Sequence, residues 1–126
     1  MDISSDETRL ARIADNFKRE NAREDERIEK RMWEANLEIR RLVDRFLEID
    51  PDIEKIVLFG SLAEGKVLSL HFDIDLAVRS EKYLQLVSCG LKSYFRVDVV
   101  DLATVQAHIR RSIENYGKIL YEKKKS

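Results

Sequence analysis

The stretch from Lys55 to Val78, KIVLFGSLAEGKVLSLHFDIDLAV, constrains the fold of this chain more than any other part of the sequence. It opens on an apolar run without polar alternation, which predicts a central strand covered on both faces. Gly60 then breaks the run, and a glycine lets the backbone bend sharply and pass close to a ligand. Ser61 is a favoured N-cap residue, so a short helical segment is expected to follow, with backbone N–H groups available to an anion.

Two aspartates lie in the second predicted strand, DIDLAV. Because side chains alternate along a strand, Asp73, Asp75 and Ala77 are expected to share one face. Two carboxylates side by side repel each other, and a divalent cation would remove the repulsion. A third predicted strand, FRVDVV, places Asp98 among β-branched residues, where a carboxylate is costly unless it is paired or bound to a metal. A turn suited to phosphate opposite these carboxylates predicts metal-assisted chemistry on a nucleotide.

A long charged helix is predicted ahead of the first strand. Its apolar residues alternate at spacings of four and three, which is typical of a single helical face: Ile28, Met32, Ala35, Ile39, Leu42 and Phe46. Pro51 disfavours helix at the residue before it, so the helix should end near Glu48. We therefore predict a charged N-terminal helical extension at residues 1–36, a domain at residues 37–122 and a basic tail at residues 123–126.

Two interpretations of the extension remain open from the sequence. In the first, residues from about 37 to 49 pack on the sheet and the preceding residues form a charged, partly frayed helix. In the second, the residues before Met32 contact another chain, which includes the case of a homo-oligomer formed through this helix. Trp33 would then be an anchor, because aromatic side chains concentrate binding energy.

Further elements are predicted after the second strand: a helix over residues 81–92, a helix over residues 103–115 and a short edge strand over residues 118–121. Ser80 is expected to cap the first of these helices, whose inward side chains are predicted to be Tyr83, Leu84, Val87 and Leu91. Asp101 is expected to cap the second helix.

Composition excludes several classes of function. The 126 residues include 23 basic and 24 acidic side chains, so no overall positive charge favours nucleic acid or an anionic membrane. No apolar run approaches the roughly 20 residues that a membrane-spanning helix needs. The single cysteine, Cys89, cannot form an internal disulfide, and a cytoplasmic location is therefore expected.

Four segments occur in the order GSLAEG, DIDLAV, VDVVD and GKILYE. In this order, with apolar strands around them, they resemble the minimal nucleotidyltransferases, which are small relatives of DNA polymerase beta and of the aminoglycoside nucleotidyltransferases. The resemblance covers residues 42–122. It implies an α/β (α+β) nucleotidyltransferase fold, in which helices pack on a small mixed β-sheet, with the N-terminal helical extension added to it.

The resemblance also implies roles for the matching residues. Gly60 and Ser61 would hold the β- and γ-phosphates of a nucleoside triphosphate, with ATP as the expected substrate. Asp73, Asp75 and Asp98 would be the catalytic and metal-binding residues for two Mg²⁺ ions, and Asp98 would accept the proton of the attacking hydroxyl. Carboxylates suit Mg²⁺, and two ions can stabilise the entering and leaving oxygens of an in-line displacement. The implied reaction is attack of a hydroxyl on the α-phosphorus with release of pyrophosphate.

Three departures from the family pattern surround the predicted site. The loop at residues 62–72 is one residue longer than usual. Phe72 precedes the first aspartate where serine is common, and Glu64 stands where arginine is common. An acidic side chain near a triphosphate is unfavourable, and Lys66 either compensates as a phosphate contact or is a solvated loop lysine. His71 lies on the aspartate face by alternation, either as part of an acceptor pocket or as a loop-end residue.

Chains of this size in the family are usually one half of a pair. The resemblance implies an antitoxin of the MntA type, which transfers AMP from ATP to a tyrosine of a small helical toxin of the HEPN type. Two alternatives stay open: a non-catalytic interaction module with a vestigial site, and a small-molecule nucleotidyltransferase of the aminoglycoside kind. Nucleic-acid polymerisation and direct nucleic-acid binding are not expected, because the sequence shows no basic groove or DNA-binding motif.

Overall fold

The computed structural model describes residues 3–124, with side chains from residue 7 onward, so residues 1–2 and 125–126 of the predicted extension and tail lie outside the described chain. The helices and strands follow in this order: α1 (Ile3–Ile49), β1 (Lys55–Phe59), α2 (Ser61–Glu64), β2 (Ile74–Arg79), α3 (Tyr83–Leu91), β3 (Val97–Asp101), α4 (Ala107–Tyr116) and β4 (Lys118–Glu122). The expected α/β class, with a long N-terminal helix, is confirmed.

The four strands form one mixed sheet in the order β3-β2-β1-β4. β1 is antiparallel to both of its neighbours, β2 and β4, whereas β2 and β3 are parallel. Parallel strands need a crossover connection, and α3 supplies it between β2 and β3. The predicted central strand and the predicted edge strand at the C-terminus are therefore both confirmed, and β3 forms the opposite edge.

Each face of the sheet has its own hydrophobic cluster. Alternation in β1 sends Ile56 and Leu58 to the larger cluster and Val57 to the smaller one. α1 and α3 cover the first face, where Phe46 is fully buried. α4 packs on the second face through Ile113, which lies in the same cluster as Val57. The apolar run without alternation is thus explained by a strand that is buried on both sides.

α1 is a single helix of 47 residues. The side chains of residues 7–27 are exposed, whereas the predicted apolar face is buried or half-buried from Ile28 to Phe46. At 1.5 Å per residue, the exposed part is about 30 Å long. Ala35 is fully buried, so packing continues across the proposed boundary at residue 36, which itself stays a prediction. Neither α1 nor any other described helix is apolar enough over a sufficient length to cross a membrane.

The prediction for α3 was wrong about its start and about two of its four inward side chains. The helix begins two residues later than predicted, because the Ser80 hydroxyl accepts a hydrogen bond from the backbone N–H two residues on and holds a turn there. Tyr83 and Val87 pack against the larger cluster as predicted, but Leu84 and Leu91 are exposed, and Leu86 is fully buried instead. The helix faces the sheet through Leu86 and Gly90, because Gly90 lies directly against side chains of β3.

α4 also begins later than predicted, at Ala107 rather than at residue 103. Asp101 caps a turn instead of the helix. Its Oδ1 accepts a hydrogen bond of 2.9 Å from the Ala103 N–H, and its carbonyl accepts one of 3.0 Å from the Val105 N–H. The extended residue Gln106 then takes the N-cap position.

Candidate active site

Three carboxylates converge at one end of the sheet, on the face opposite α1. Asp73 directly precedes β2, Asp75 is the second residue of β2, and Asp98 is the second residue of β3. The parallel register pairs Asp75 with Asp98, so strand alternation points both side chains to the same face. One ligand oxygen of each residue lies within 4.8 Å of the others. We refer to Asp73, Asp75 and Asp98 as the carboxylate triad.

The triad is a site of electrostatic repulsion. The pKa of Asp75 is raised from 3.8 to about 6, first by burial and then by the negative charges of Asp98 and Asp73. A divalent cation among the three groups would remove the Coulombic part of this penalty. Hard carboxylate oxygens are also the ligands that Mg²⁺ prefers in proteins. The donor set therefore fits a divalent metal ion.

Gly60 forms the bend at the end of β1 and lies against the triad. Its φ of 78° falls in the region that favours glycine, and an added Cβ would collide with Oδ2 of Asp75. The predicted helix start was wrong by one residue, because Gly60 is the N-cap of α2 and Ser61 is the first helical residue. The glycine bend and the triad nevertheless share one site, because only a residue without a side chain allows this approach.

Arg96 lies at the site, although sequence reasoning placed it on the face of Asp98 without assigning it a role. Its Nε lies 3.9 Å from Oδ1 of Asp73, and its carbonyl accepts a hydrogen bond of 2.8 Å from the Ile74 N–H. Its side chain is 80% exposed. A signal was available, because Arg96 stands two residues before Asp98 and alternation puts both on one face. β3 itself begins at Val97, two residues later than predicted.

Phe72 does not line the site, although it directly precedes Asp73 in the sequence. It packs against the larger hydrophobic cluster, and its ring centroid lies 6.2 Å from that of Phe95. The guanidinium carbon of Arg31 lies 3.8 Å from the Phe95 ring centroid, a cation–π contact from α1. The residue that departs from the family pattern therefore anchors the start of β2 from the core side.

The loop after Gly60 places Lys66 beside an acidic partner. Its Nζ lies 3.7 Å from Oε1 of Glu64, and the lysine side chain is largely exposed. Among the described ion pairs, the triad contacts Arg96 and not Lys66. The assignment of Lys66 to a phosphate contact stays a prediction. His71 is exposed and takes part in a turn with Ser69, and His108 is exposed on α4.

The chain belongs to the polymerase beta nucleotidyltransferase family, because the sequence model of that family matches residues 42–126, more than half of the protein. This match confirms the expected family resemblance and the class of enzyme that it implies, a nucleotidyltransferase. A comparison with curated protein sequences finds no match.

Solved structures support the same fold. A structure of a toxin-antitoxin with AMP-PNP is 24% identical, with a TM-score of 0.54, and the match covers 66% of this chain and 73% of that one. A mutant of the toxin-antitoxin MntA-HpeT is 25% identical, with a TM-score of 0.53 and coverage of 67% and 72%. A candidate nucleotidyltransferase from Sulfolobus solfataricus is 17% identical, with a TM-score of 0.55 and coverage of 76% and 87%.

Proposed function

We propose that this chain is a Mg²⁺-dependent adenylyltransferase that transfers AMP from ATP to a protein hydroxyl. The single observation that supports this most strongly is the convergence of Asp73, Asp75 and Asp98 opposite the Gly60 bend. An added Cβ at residue 60 would collide with Asp75, so the bend can lie beside the triad only because residue 60 is glycine. The arrangement thus brings a backbone bend suited to phosphate next to a donor set suited to a cation.

The residues take distinct roles in this proposal. Asp73, Asp75 and Asp98 hold two Mg²⁺ ions, which supply Lewis-acid stabilisation of the phosphoryl oxygens. Asp98 is exposed at the sheet edge and is free to accept the proton of the attacking hydroxyl. Gly60 and Ser61 bind the β- and γ-phosphates, and Lys66 is the proposed additional phosphate contact.

The proposed acceptor is a tyrosine of a small helical HEPN-type toxin, so that the chain acts as an antitoxin. The resemblance implies this partner, and the structural similarity to the toxin-antitoxin MntA-HpeT supports it. The exposed part of α1 is the surface that we propose for contact between chains, including contact with a second copy. Its exposed apolar side chains, Leu10, Ile13 and Phe17, belong to neither hydrophobic cluster of the described chain. The proposed location is the cytoplasm, because Cys89 is a free thiol.

The test is AMP transfer from labelled ATP, with Mg²⁺ and the product of the adjacent gene, followed by mass analysis of the modified residue. Asp73→Asn and Asp75→Asn are expected to lower the rate by about 100-fold or more, the scale of losing one preorganised electrostatic contact. Asp44→Asn is the matched control, because Asp44 is exposed on α1 away from the triad and should leave transfer unchanged. Full transfer by both triad variants would contradict the proposal.

A second candidate is a non-catalytic interaction module, which one observation favours. Glu64 lies in the short helix beside the Gly60 bend and occupies Lys66 in an ion pair, so the loop offers no unpaired cation there among the described contacts. Calorimetry with MgATP separates the two functions. Binding that requires Mg²⁺ supports the enzyme, and absence of binding supports the interaction module.

A further inference from the structure

Across the strands of the sheet, the candidate site has a β1 side and a β3 side, and different residues lie on each. Gly60 ends β1 on one side of the triad, and Arg96 directly precedes β3 on the other. Because the strand order is β3-β2-β1-β4, Asp73 and Asp75 at the start of β2 lie between these two residues, and Asp98 lies on β3 itself, two residues after Arg96. β3 is an edge strand, so no further strand of the described chain flanks the Arg96 side.

This arrangement assigns an entry side to the acceptor, provided that the proposed function holds. In an in-line displacement the attacking oxygen and the leaving oxygen lie on opposite sides of the phosphorus. If the Gly60 bend holds the leaving pyrophosphate, the acceptor hydroxyl must approach from the β3 edge. Asp98 and Arg96 are exposed charged residues on that side.

Arg96 is available for a second contact. The shortest contact between Arg96 and Asp73 joins Nε to Oδ1, and its length of 3.9 Å is long for a hydrogen bond. The two terminal nitrogens form no described hydrogen bond, so they can donate together to a carboxylate in the bidentate geometry of arginine. In residues 7–124, Arg96 is also the one cation in an ion pair with the triad.

The neighbouring contacts hold Arg96 in place. Its carbonyl is fixed to the Ile74 N–H, and the preceding residue, Phe95, is packed between Phe72 and Arg31. Arg31 itself is paired with Glu34 at 3.1 Å, so it offers less free charge than Arg96. Tyr94, almost fully exposed, lies in the loop that leads into β3.

We propose that Arg96 determines acceptor specificity: it selects a protein hydroxyl that has an aspartate or glutamate beside it in its own chain. The negative charges of the triad and of a bound triphosphate together repel an acidic acceptor segment. An aspartate or glutamate beside the acceptor tyrosine can therefore bind here only where the guanidinium of Arg96 forms an ion pair with it. The proposed acceptor is therefore a tyrosine in an acidic peptide segment, bound across the β3 edge.

The test measures peptide binding to the full chain loaded with Mg²⁺ and a non-hydrolysable ATP analogue. Two tyrosine peptides are compared that differ only in glutamate or glutamine beside the tyrosine. The wild-type protein should bind the glutamate peptide about fivefold more tightly, the scale of an exposed ion pair, and added salt should reduce the ratio. Arg96→Gln should remove the preference, and Arg96→Glu should shift it toward a third peptide with lysine at that position. Arg111→Glu, an exposed arginine on α4, should keep the wild-type preference.

The outcomes separate this inference from the proposed function. If the nucleotide analogue does not bind with Mg²⁺, the proposed function fails and the inference fails with it. If the analogue binds, three results overturn the inference alone. Neither peptide binds the wild-type protein, or the two peptides bind it equally. The third is an Arg96→Glu variant that keeps the preference for the glutamate peptide. A preference that is lost and then reversed at residue 96 supports it.

Discussion

The backbone of Gly60 lies against the carboxylate of Asp75, so closely that a side chain at residue 60 would occupy the position of Oδ2. This contact joins the end of β1 to the centre of the triad. A substitution in the bend that is proposed to hold phosphate would therefore also displace Asp75, one of the residues proposed to hold metal.

Replacement of Gly60 by alanine should abolish Mg²⁺-dependent nucleotide binding. The new methyl group both displaces the Asp75 carboxylate and strains a backbone with a φ of 78°, at a cost of about 1–3 kcal/mol from strain alone. Gly65→Ala is the matched control, because Gly65 also has a positive φ, 70°, but an added Cβ would meet nothing within 4 Å. Calorimetric titration with MgATP should show binding lost in the Gly60 variant and kept in the Gly65 variant. Equal loss in both would attribute the effect to backbone strain.

Asp75 should make the metal-free protein less stable as the pH rises from about 4 to about 6. Its pKa in the folded chain is raised to about 6, so in this window the folded state holds a proton that the unfolded state has released. Asp75→Asn removes this dependence. In thermal melts with a chelator, the variant should exceed the wild-type melting temperature at pH 7.5, and the difference should shrink toward pH 4. A wild-type protein that is the more stable of the two at pH 7.5 would count against the repulsion described here.

Glu38 should contribute to stability through a contact between α1 and the loop before β3. Its carboxylate accepts hydrogen bonds from Arg41 and from the Ser93 hydroxyl, and the Arg41 contact is the main reason that its pKa is lowered. Glu38→Gln should lower the free energy of unfolding in urea by about 1–2 kcal/mol at pH 7. Because the pKa is lowered, this contribution is present above pH 4.5 and is lost as the pH falls through the folded-state value.

Glu48→Gln provides the control for that measurement. Glu48 pairs with Arg45 at 2.7 Å, but both side chains are more than half exposed. Its loss should change the free energy of unfolding by less than about 0.5 kcal/mol, as for most exposed pairs on a helix. Equal effects of the two substitutions would show that the Ser93 contact adds nothing.

The exposed part of α1 should be dispensable for folding and required for contact between chains. Leu10 and Phe17 are more than half exposed, so the double substitution Leu10→Asp and Phe17→Asp should change stability by no more than about 0.5 kcal/mol for each residue. The same variant should lose its partner in co-purification with the product of the adjacent gene. Ala35→Asp, which buries a charge in the core, should instead unfold the domain. Unchanged partner binding by the double variant would remove this surface from the proposal.

Much of the site could be predicted because it follows from local rules. Alternation along a strand is enough to place Asp73 and Asp75 on one face, and the apolar run before Gly60 is enough to predict a central strand. The glycine and the serine also identified the bend. The N-cap was assigned to Ser61 and not to Gly60, because residue preference does not reveal a positive φ.

The parts that were predicted wrongly depend on contacts between distant segments. The inward face of α3 is set by the approach of Gly90 to β3, which left Leu84 and Leu91 exposed despite their apolar character. The pairing of Arg96 with Asp73 likewise requires the parallel register of β2 and β3. Alternation along the chain puts Arg96 on the face of Asp98, but it does not reveal a contact with Asp73 beside the neighbouring strand.

The most direct test of the central claim is anomalous diffraction from a crystal grown with Mn²⁺ and a non-hydrolysable ATP analogue. Metal peaks are expected among the oxygens of Asp73, Asp75 and Asp98, with the terminal phosphates against the bend at Gly60. An analogue bound elsewhere on the protein, or a triad without a metal peak at saturating Mn²⁺, would contradict it.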